Sequence, residues 1–154
     1  MKIKYSPAKL GITDDIAIHK GKYIIGWMNR FFHALPERNK EQEVSLEVVS
    51  EETKETYTIQ QETGKKIWTV FRKDKPIGSI LIQEGKKHRL LVTLEEHSPF
   101  LIESTWKKTG RIDKEGTTIM KGIWFPKIHI DMAHDMDSVL LASLVHIFWA
   151  TQPS

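Results

Sequence analysis

The sequence predicts a mainly β protein, a closed antiparallel β-barrel that encloses a hydrophobic C-terminal α-helix. The first observation is that, from residue 44 onward, short segments with apolar residues at alternating positions follow one another. The second is that turns rich in Gly, Lys and Asp separate these segments, as in antiparallel sheets. The third is the run Val139 to Ala150, in which Ser143 and His146 are the polar residues.

The composition is that of an ordinary globular protein, and we expect residues 1–154 to form one domain. Apolar residues make up 40% and charged residues 28% of the 154-residue chain, which is long enough to bury a sizeable core. The chain has no cysteine, which excludes disulfides, thiolate metal sites and a cysteine nucleophile. The first residues, MKIKYSPAKLGITDD, lack the apolar stretch of a signal peptide, so we expect a cytoplasmic protein.

The N-terminal part of the barrel is harder to assign, because residues 21–38 carry two patterns. Large apolar residues recur at helical spacing, which indicates an amphipathic helix ending before Pro36; they are Tyr23, Ile24, Trp27, Met28, Phe31, Phe32 and Leu35. Gly26 and the β-branched and aromatic content favour a strand instead. We therefore expect a strand that leads into a helical turn.

Regular alternation predicts strands with one buried face in the next segments. The inward residues that it indicates are Val44, Leu46 and Val48 in VSLEVV, Tyr57 and Ile59 in YTIQQ, and Leu90, Val92 and Leu94 in RLLVTLEE. PIGSILIQ is a further strand that follows the turn KDKP. In KIHIDM the pattern places Ile128, Ile130 and Met132 inward and His129 and Asp131 outward.

Three segments depart from this simple pattern. KIWTVFRK is apolar at Ile67, Trp68, Val70 and Phe71, which predicts a strand buried on both faces. FLIESTW is expected to place Phe100, Ile102 and Trp106 on one side of a strand. TTIMKGIWF is expected to form one strand throughout.

The C-terminal run is predicted to be a buried helix over about residues 136–150. A transmembrane helix needs about 20 apolar residues, more than this run supplies. An interfacial membrane helix would carry a basic face, and no Lys or Arg lies nearby. A helix that is apolar nearly all round must be buried, with Asp135 or Asp137 as its N-cap. A barrel that holds a helix needs more than about eight strands, so residues 16–35 should supply strands as well.

With these residues, the chain resembles the tubby C-terminal-like superfamily, and more narrowly the small bacterial tubby-like domains related to plant LURP-one proteins. The resemblance lies in LLASLVHIFW (Leu140 to Trp149), in IAIHKGKYIIGWMNRFF (16–32) and in WTVFRKDKPIGSI (68–80). It implies a closed barrel around a hydrophobic C-terminal helix. It also implies action at membranes, because animal tubby domains bind phosphoinositides through basic residues and related scramblase-like proteins act at membranes.

The charge distribution indicates an anionic ligand. Residues 61–127 carry fourteen Lys/Arg and eight Asp/Glu, an excess sufficient to attract anionic surfaces. The candidate binding residues are Lys65, Lys66, Arg72, Lys73, Lys75, Lys86, Lys87, Arg89, Lys107, Lys108 and Arg111. We expect a non-enzymatic binding or scaffold domain whose partner is anionic phospholipid or a membrane surface. The alternative is a protein-interaction module that docks through the aromatic segment 23–35. Nucleic acid is not favoured, because Trp68 and Trp106 look inward-facing.

No catalytic residue or cofactor is predicted. No nucleophile elbow, phosphate-binding glycine loop or paired-carboxylate cleft stands out. The cluster HIDMAHDMD has imidazole and carboxylate groups, but its spacing matches no standard metal site and is typical of a strand end before a capped helix. A metal-dependent hydrolase would require His129, Asp131 and His134 to converge. His146 is expected to be a hydrogen-bonded core residue.

Overall fold

The computed structural model describes residues 1–7, 15–31, 44–83, 85–133 and 136–152, apart from the side chain of Phe31. In these residues twelve antiparallel strands form a closed barrel, followed by one helix. The elements are β1 (Lys2–Tyr5), β2 (Ile16–Lys20), β3 (Tyr23–Phe31), β4 (Ser45–Ser50), β5 (Glu55–Gln61), β6 (Ile67–Arg72), β7 (Lys75–Gln83), β8 (Arg89–Leu94), β9 (Phe100–Ser104), β10 (Thr109–Ile112), β11 (Gly116–Lys121), β12 (Lys127–Asp131) and α1 (Ser138–Ala150).

The barrel closes through its first strand. β1 pairs with β2, where Tyr5 lies opposite Ile18, and with β12, where Lys2 lies opposite Asp131. Every other strand pairs with its neighbours in the sequence. No strand of the described barrel therefore presents an open edge to solvent, which removes the usual route to edge-to-edge aggregation.

The inward faces follow the predicted alternation. Val44, Leu46, Val48, Tyr57, Ile59, Leu90, Val92, Leu94, Phe100, Ile102, Ile128, Ile130 and Met132 are all buried. The strand prediction is confirmed for residues 23–31, whereas residues 32–38 lie outside the described part. The prediction that β6 is buried on both faces is wrong, because Trp68 and Val70 are buried while Ile67 and Phe71 are only half-buried. A barrel has one interior, so the outer face of each strand meets solvent.

Helix α1 lies inside the barrel. Its residues Ser138 to Phe148 are all buried, and the helix contacts β1, β3, β4 and β9, which lie on different sides of the wall. Because the helix is apolar nearly all round, only an enclosing wall can remove its whole surface from water. Asp137 is the N-cap, so the helix starts slightly later than predicted; Asp135 lies outside the described residues.

Two glycines let the wall approach the helix closely. A Cβ at Gly26 of β3 would lie 2.7 Å from a Val139 methyl carbon and 2.4 Å from the Val49 carbonyl oxygen. A Cβ at Gly110 of β10 would lie 3.0 Å from the ring of Phe148. The helix therefore packs against apolar side chains of the wall and, at these two glycines, directly against its backbone.

Candidate functional site

The basic rim is the part of one barrel end that consists of the four hairpin turns at residues 62–66, 85–88, 105–108 and 122–126. Residues 8–14, between β1 and β2, and residues 32–43, between β3 and β4, lie outside the described part of the chain. The four turns follow β5, β7, β9 and β11, which run in the same direction because each is antiparallel to the strand between. The C-terminal end of α1 reaches the same end, where His88 Nε2 lies 3.1 Å from the Phe148 carbonyl oxygen and 3.0 Å from Thr151 Oγ1. The rim turns are thus tied to the end of the central helix.

The described turns of the rim carry an excess of positive charge, whereas those of the opposite end carry an excess of negative charge. Its turns expose six lysines: Lys65, Lys66, Lys86, Lys87, Lys107 and Lys108. Glu62 is the acidic residue of the described rim turns, and its carboxylate lies 3.7 Å from the Lys65 ammonium. Asp15, just before β2, and Glu103, opposite Arg89 in β9, are further acidic residues near this end. The turns of the opposite end, at 21–22, 51–54, 73–74, 95–99 and 113–115, carry four lysines and seven Asp/Glu. The charge of the described turns is therefore strongly polarised along the barrel axis.

The other predicted basic residues lie elsewhere. Arg89 begins β8 just below the rim, and its Nε is buried with no hydrogen-bond partner in the described residues. Arg111 lies on the outer wall of β10 and forms an ion pair with Glu103. Arg72 and Lys73 lie at the opposite end, as does Lys75, whose ammonium is 3.8 Å from Glu95. The fold therefore places the paired tip lysines at one end of the barrel and Arg72, Lys73 and Lys75 at the other, with Arg111 on the outer wall.

Three basic residues near the rim were not predicted as part of the site. Lys121 and Lys127 face each other across β11 and β12, and Lys4 pairs with His129 across β1 and β12. Burial lowers the pKa of His129, and Lys121, Lys4 and Lys127 lower it further. The sequence contained a signal for two of these residues. Lys121 and Lys127 stand on either side of the segment GIWFP, and paired lysines also mark the other turns of the rim.

The rim also exposes large apolar side chains, which corrects two predictions. Trp106 does not share the inner face of Phe100 and Ile102, because β9 ends at Ser104 and the indole, 79% exposed, stands in the following turn. The strand predicted for TTIMKGIWF ends at Lys121. Gly122 then adopts a φ of 100°, which ends the strand and sends the next three side chains outward. Ile123, Trp124 and Phe125 are 84%, 86% and 83% exposed.

Two of the three residues of the metal hypothesis are described, and both lie on the outer wall. His129 is half-buried and Asp131 exposed, both on the outward face of β12. His134 and Asp135 lie outside the described residues. Within the described ranges no group of three or more His, Cys, Asp or Glu is placed to hold a metal ion.

His146 and Tyr5 form a polar pair in the barrel interior. Tyr5 Oη lies 3.2 Å from His146 Nδ1, and the rings meet edge-on with centroids 5.5 Å apart. Burial, with a smaller contribution from Arg30, lowers the pKa of His146 to about 4, and burial raises the pKa of Tyr5 well above its ordinary value. The imidazole is therefore neutral at physiological pH, as the prediction of a hydrogen-bonded core histidine requires.

The aromatic segment 23–35 is described only as far as Phe31. Tyr23 and Ile24 are exposed near the opposite end of the barrel, Trp27 is half-buried and Met28 is fully buried. Its described aromatic side chains therefore do not form one continuous exposed face.

In the described parts of the chain, no helix combines the length and apolarity needed to span a membrane. No family model, no curated protein and no solved structure matches the chain.

Proposed function

We propose that the protein is a non-enzymatic binding module that docks on anionic phospholipid surfaces through the basic rim. The observation that carries the proposal is the polarised charge of the described turns, with six lysines at the rim and an excess of acidic residues at the opposite end. Each lysine that reaches an anionic leaflet contributes about 1 kcal/mol to binding. Because the three lysine-bearing turns belong to successive hairpins, their contributions act on one surface.

The opposed lysines of β11 and β12 support the same proposal. Lys121 and Lys127 are directly opposite each other in the register, an arrangement in which like charges destabilise a sheet. An anionic headgroup between them would remove that repulsion. Proteins often keep residues that lower the stability of the fold at positions where those residues bind a ligand.

Membership of the tubby C-terminal-like superfamily, in its bacterial LURP-one-related branch, is part of this proposal. A closed barrel around a buried hydrophobic C-terminal helix is the architecture that the sequence resemblance implies. Membrane association of related proteins favours a lipid over a nucleic acid as the anionic partner.

Vesicle co-sedimentation tests the proposal. The protein is mixed with phosphatidylcholine vesicles, or with vesicles that also contain phosphatidylglycerol, at about 0.1 M and about 1 M salt, where the Debye length falls from about 10 Å to about 3 Å. We expect binding to the acidic vesicles alone, and weaker binding at the higher salt. Equal lack of binding to both vesicles at low salt would remove the lipid proposal and leave the protein-docking alternative.

A matched pair of variants locates the binding end. Lys107→Gln/Lys108→Asn removes two rim charges, and Lys73→Asn/Lys114→Gln removes two from the opposite end. Lys108 and Lys73 have φ of 57° and 55°, a backbone that Asn tolerates, so the two variants place the same demands on the fold. We expect the rim variant to lose about 30-fold in vesicle affinity, at about 1 kcal/mol per lysine, and the control to bind like the wild type. Equal losses in both variants would contradict binding through the rim.

A further inference from the structure

The rim carries two exposed apolar tips, Trp106 and the tripeptide Ile123–Phe125. Elsewhere in the described chain the large aromatic and aliphatic side chains are mostly inside the barrel, whereas these four are each at least 79% exposed. An exposed cluster of large apolar side chains, including two tryptophans, marks a surface that is covered in use.

The two tips are neighbours. The Met120 amide donates a 2.9 Å hydrogen bond to the Lys108 carbonyl oxygen, so β11 passes directly beside the turn that carries Trp106. Lys121 then pairs with Lys127, and the loop between them carries Ile123–Phe125. The apolar side chains therefore extend from adjacent turns at the same end of the barrel.

The backbone holds both tips away from the core. The Trp106 amide donates to Thr109 Oγ1 at 3.0 Å, and the Thr109 amide donates to the Trp106 carbonyl oxygen at 3.0 Å. In the second tip, a Cβ at Gly122 would lie 3.0 Å from the Phe125 carbonyl oxygen, which shows how sharply the loop turns. The exposure of these side chains is thus set by the turns themselves.

The charges around the tips identify what covers them. Lys107 and Lys108 follow Trp106 directly, and Lys121 and Lys127 flank the second tip. A second copy of the chain placed rim to rim would bring lysines against lysines, so self-association by this surface is disfavoured. An anionic bilayer supplies phosphates for the lysines and, just beneath them, the interfacial layer in which tryptophan is enriched.

We propose that Trp106 and Ile123–Phe125 insert into the interfacial layer of an anionic membrane, so that the barrel docks end-on with the C-terminal end of α1 towards the lipid. This inference rests on the proposed function and adds to it a binding component that salt does not screen. The lysines bring the rim to the surface, and the apolar tips hold it there by burying their area among the headgroups.

Fluorescence quenching by brominated lipids tests the insertion. We compare the wild type with Trp106→Ser/Trp124→Ser, using vesicles of phosphatidylcholine and phosphatidylglycerol with bromines at shallow or deep positions. The wild type should shift its emission to shorter wavelength and be quenched most by the shallow bromines. The double variant should lose both signals, and should bind the vesicles at least about tenfold more weakly at high salt. Since both indoles are exposed, its unfolding midpoint should stay at the wild-type value.

The variant Trp106→Phe/Trp124→Phe tests whether vesicle binding at high salt depends on the apolar character of these two side chains. This variant keeps apolar rings at both tips, so it should bind close to the wild-type level at high salt. Vesicle binding by the wild type without a blue shift or quenching would overturn the insertion and leave rim binding standing. No vesicle binding at all would overturn both proposals. A blue shift that grows with protein concentration in the absence of lipid would instead assign the tips to self-association and overturn the insertion.

Discussion

The Tyr57 hydroxyl donates a 2.8 Å hydrogen bond to Asp137 Oδ2, which joins the barrel wall to the N-cap of the central helix. Thr53 Oγ1 donates to the same oxygen at 2.7 Å, and Ser50 Oγ donates to Oδ1 at 3.0 Å. Oδ1 also accepts the Val139 amide at 3.0 Å. Burial, and then the neighbouring carboxylate, raise the pKa of Tyr57 to about 12, so the phenol remains a donor throughout the physiological range. One carboxylate thus caps α1 and fastens it to the β4–β5 hairpin.

Replacing this carboxylate should destabilise the whole barrel. We expect Asp137→Ala to lower the free energy of unfolding by about 2–3 kcal/mol, because it removes an N-cap and leaves three wall hydroxyls without their acceptor. Urea unfolding followed by circular dichroism measures the change. Asp131→Ala, at an exposed position on β12, is the control and should change stability by less than about 0.5 kcal/mol. Similar unfolding midpoints for both variants would refute this role of Asp137.

The close approach of β3 to the helix predicts a second stability effect. Gly26→Ala would place a methyl group 2.4 Å from the Val49 carbonyl oxygen and against Val139, so we expect a loss of about 3 kcal/mol. At Gly85 the nearest atom to a new Cβ is a flexible guanidinium nitrogen of Arg89, at 3.3 Å. Gly85→Ala should therefore be close to neutral, and thermal melts of the two variants measure the difference. A Gly26→Ala protein as stable as Gly85→Ala would contradict the close packing of β3 at Gly26 against both β4 and the helix.

The buried His146 predicts loss of stability in acid. The unfolded chain takes up a proton near pH 6.5, whereas burial and Arg30 hold the pKa of the folded-state imidazole at about 4. Between these values the unfolded state binds more protons, so the free energy of unfolding falls with falling pH. The contribution of His146 is complete above pH 6.5, and about 3 kcal/mol is lost by about pH 4. The lowered pKa values of His88 and His129 act in the same direction.

A double variant isolates this effect from the titration of carboxylates. Tyr5→Phe/His146→Leu removes both members of the buried pair, so no interior hydroxyl is left without its partner. Urea unfolding at several pH values should show a smaller decrease between pH 6.5 and 4 than in the wild type. The same decrease in both proteins would assign the acid sensitivity to other groups.

The opposed lysines predict that stability and binding change in opposite directions. Lys127→Glu places a carboxylate opposite Lys121, which should raise the free energy of unfolding by about 0.5 kcal/mol at low salt. The same substitution should weaken binding to acidic vesicles, because it reverses a charge beside the second apolar tip. Thermal melts and co-sedimentation measure the two effects on one protein sample. A more stable variant with unchanged binding would exclude Lys127 from the lipid-facing surface.

The barrel could be predicted from the sequence because buried and outward residues alternate along most of its strands. Segments such as RLLVTLEE and KIHIDM contain the information needed to assign which residues face inward, and the apolar run of α1 requires an enclosure. In β6, apolar residues also occupy the outward positions, and the sequence alone predicted that both faces of the strand are buried. A run of apolar residues does not distinguish a second buried face from half-buried side chains on an outer wall.

The candidate site was harder to predict, because it depends on where strands end. Periodicity continued FLIESTW as far as Trp106 and TTIMKGIWF as far as Phe125, but β9 ends at Ser104, and β11 ends at Lys121 where Gly122 turns the chain. The list of basic residues likewise mixed both ends of the barrel. Consecutive turns of an antiparallel barrel lie at opposite ends, so Lys73 could be separated from Lys66 only once β6 was known to run between them.

Amide hydrogen exchange of the central helix provides the most direct test of the enclosed core on which both proposals depend. If the wall surrounds α1, the amides from Leu141 to Phe148 exchange only when the whole barrel unfolds, with the same free energy as the slowest amides of β3 and β4. Exchange of the helix at a free energy well below that of the strands would contradict the account, because it would mean that α1 leaves a barrel that remains folded.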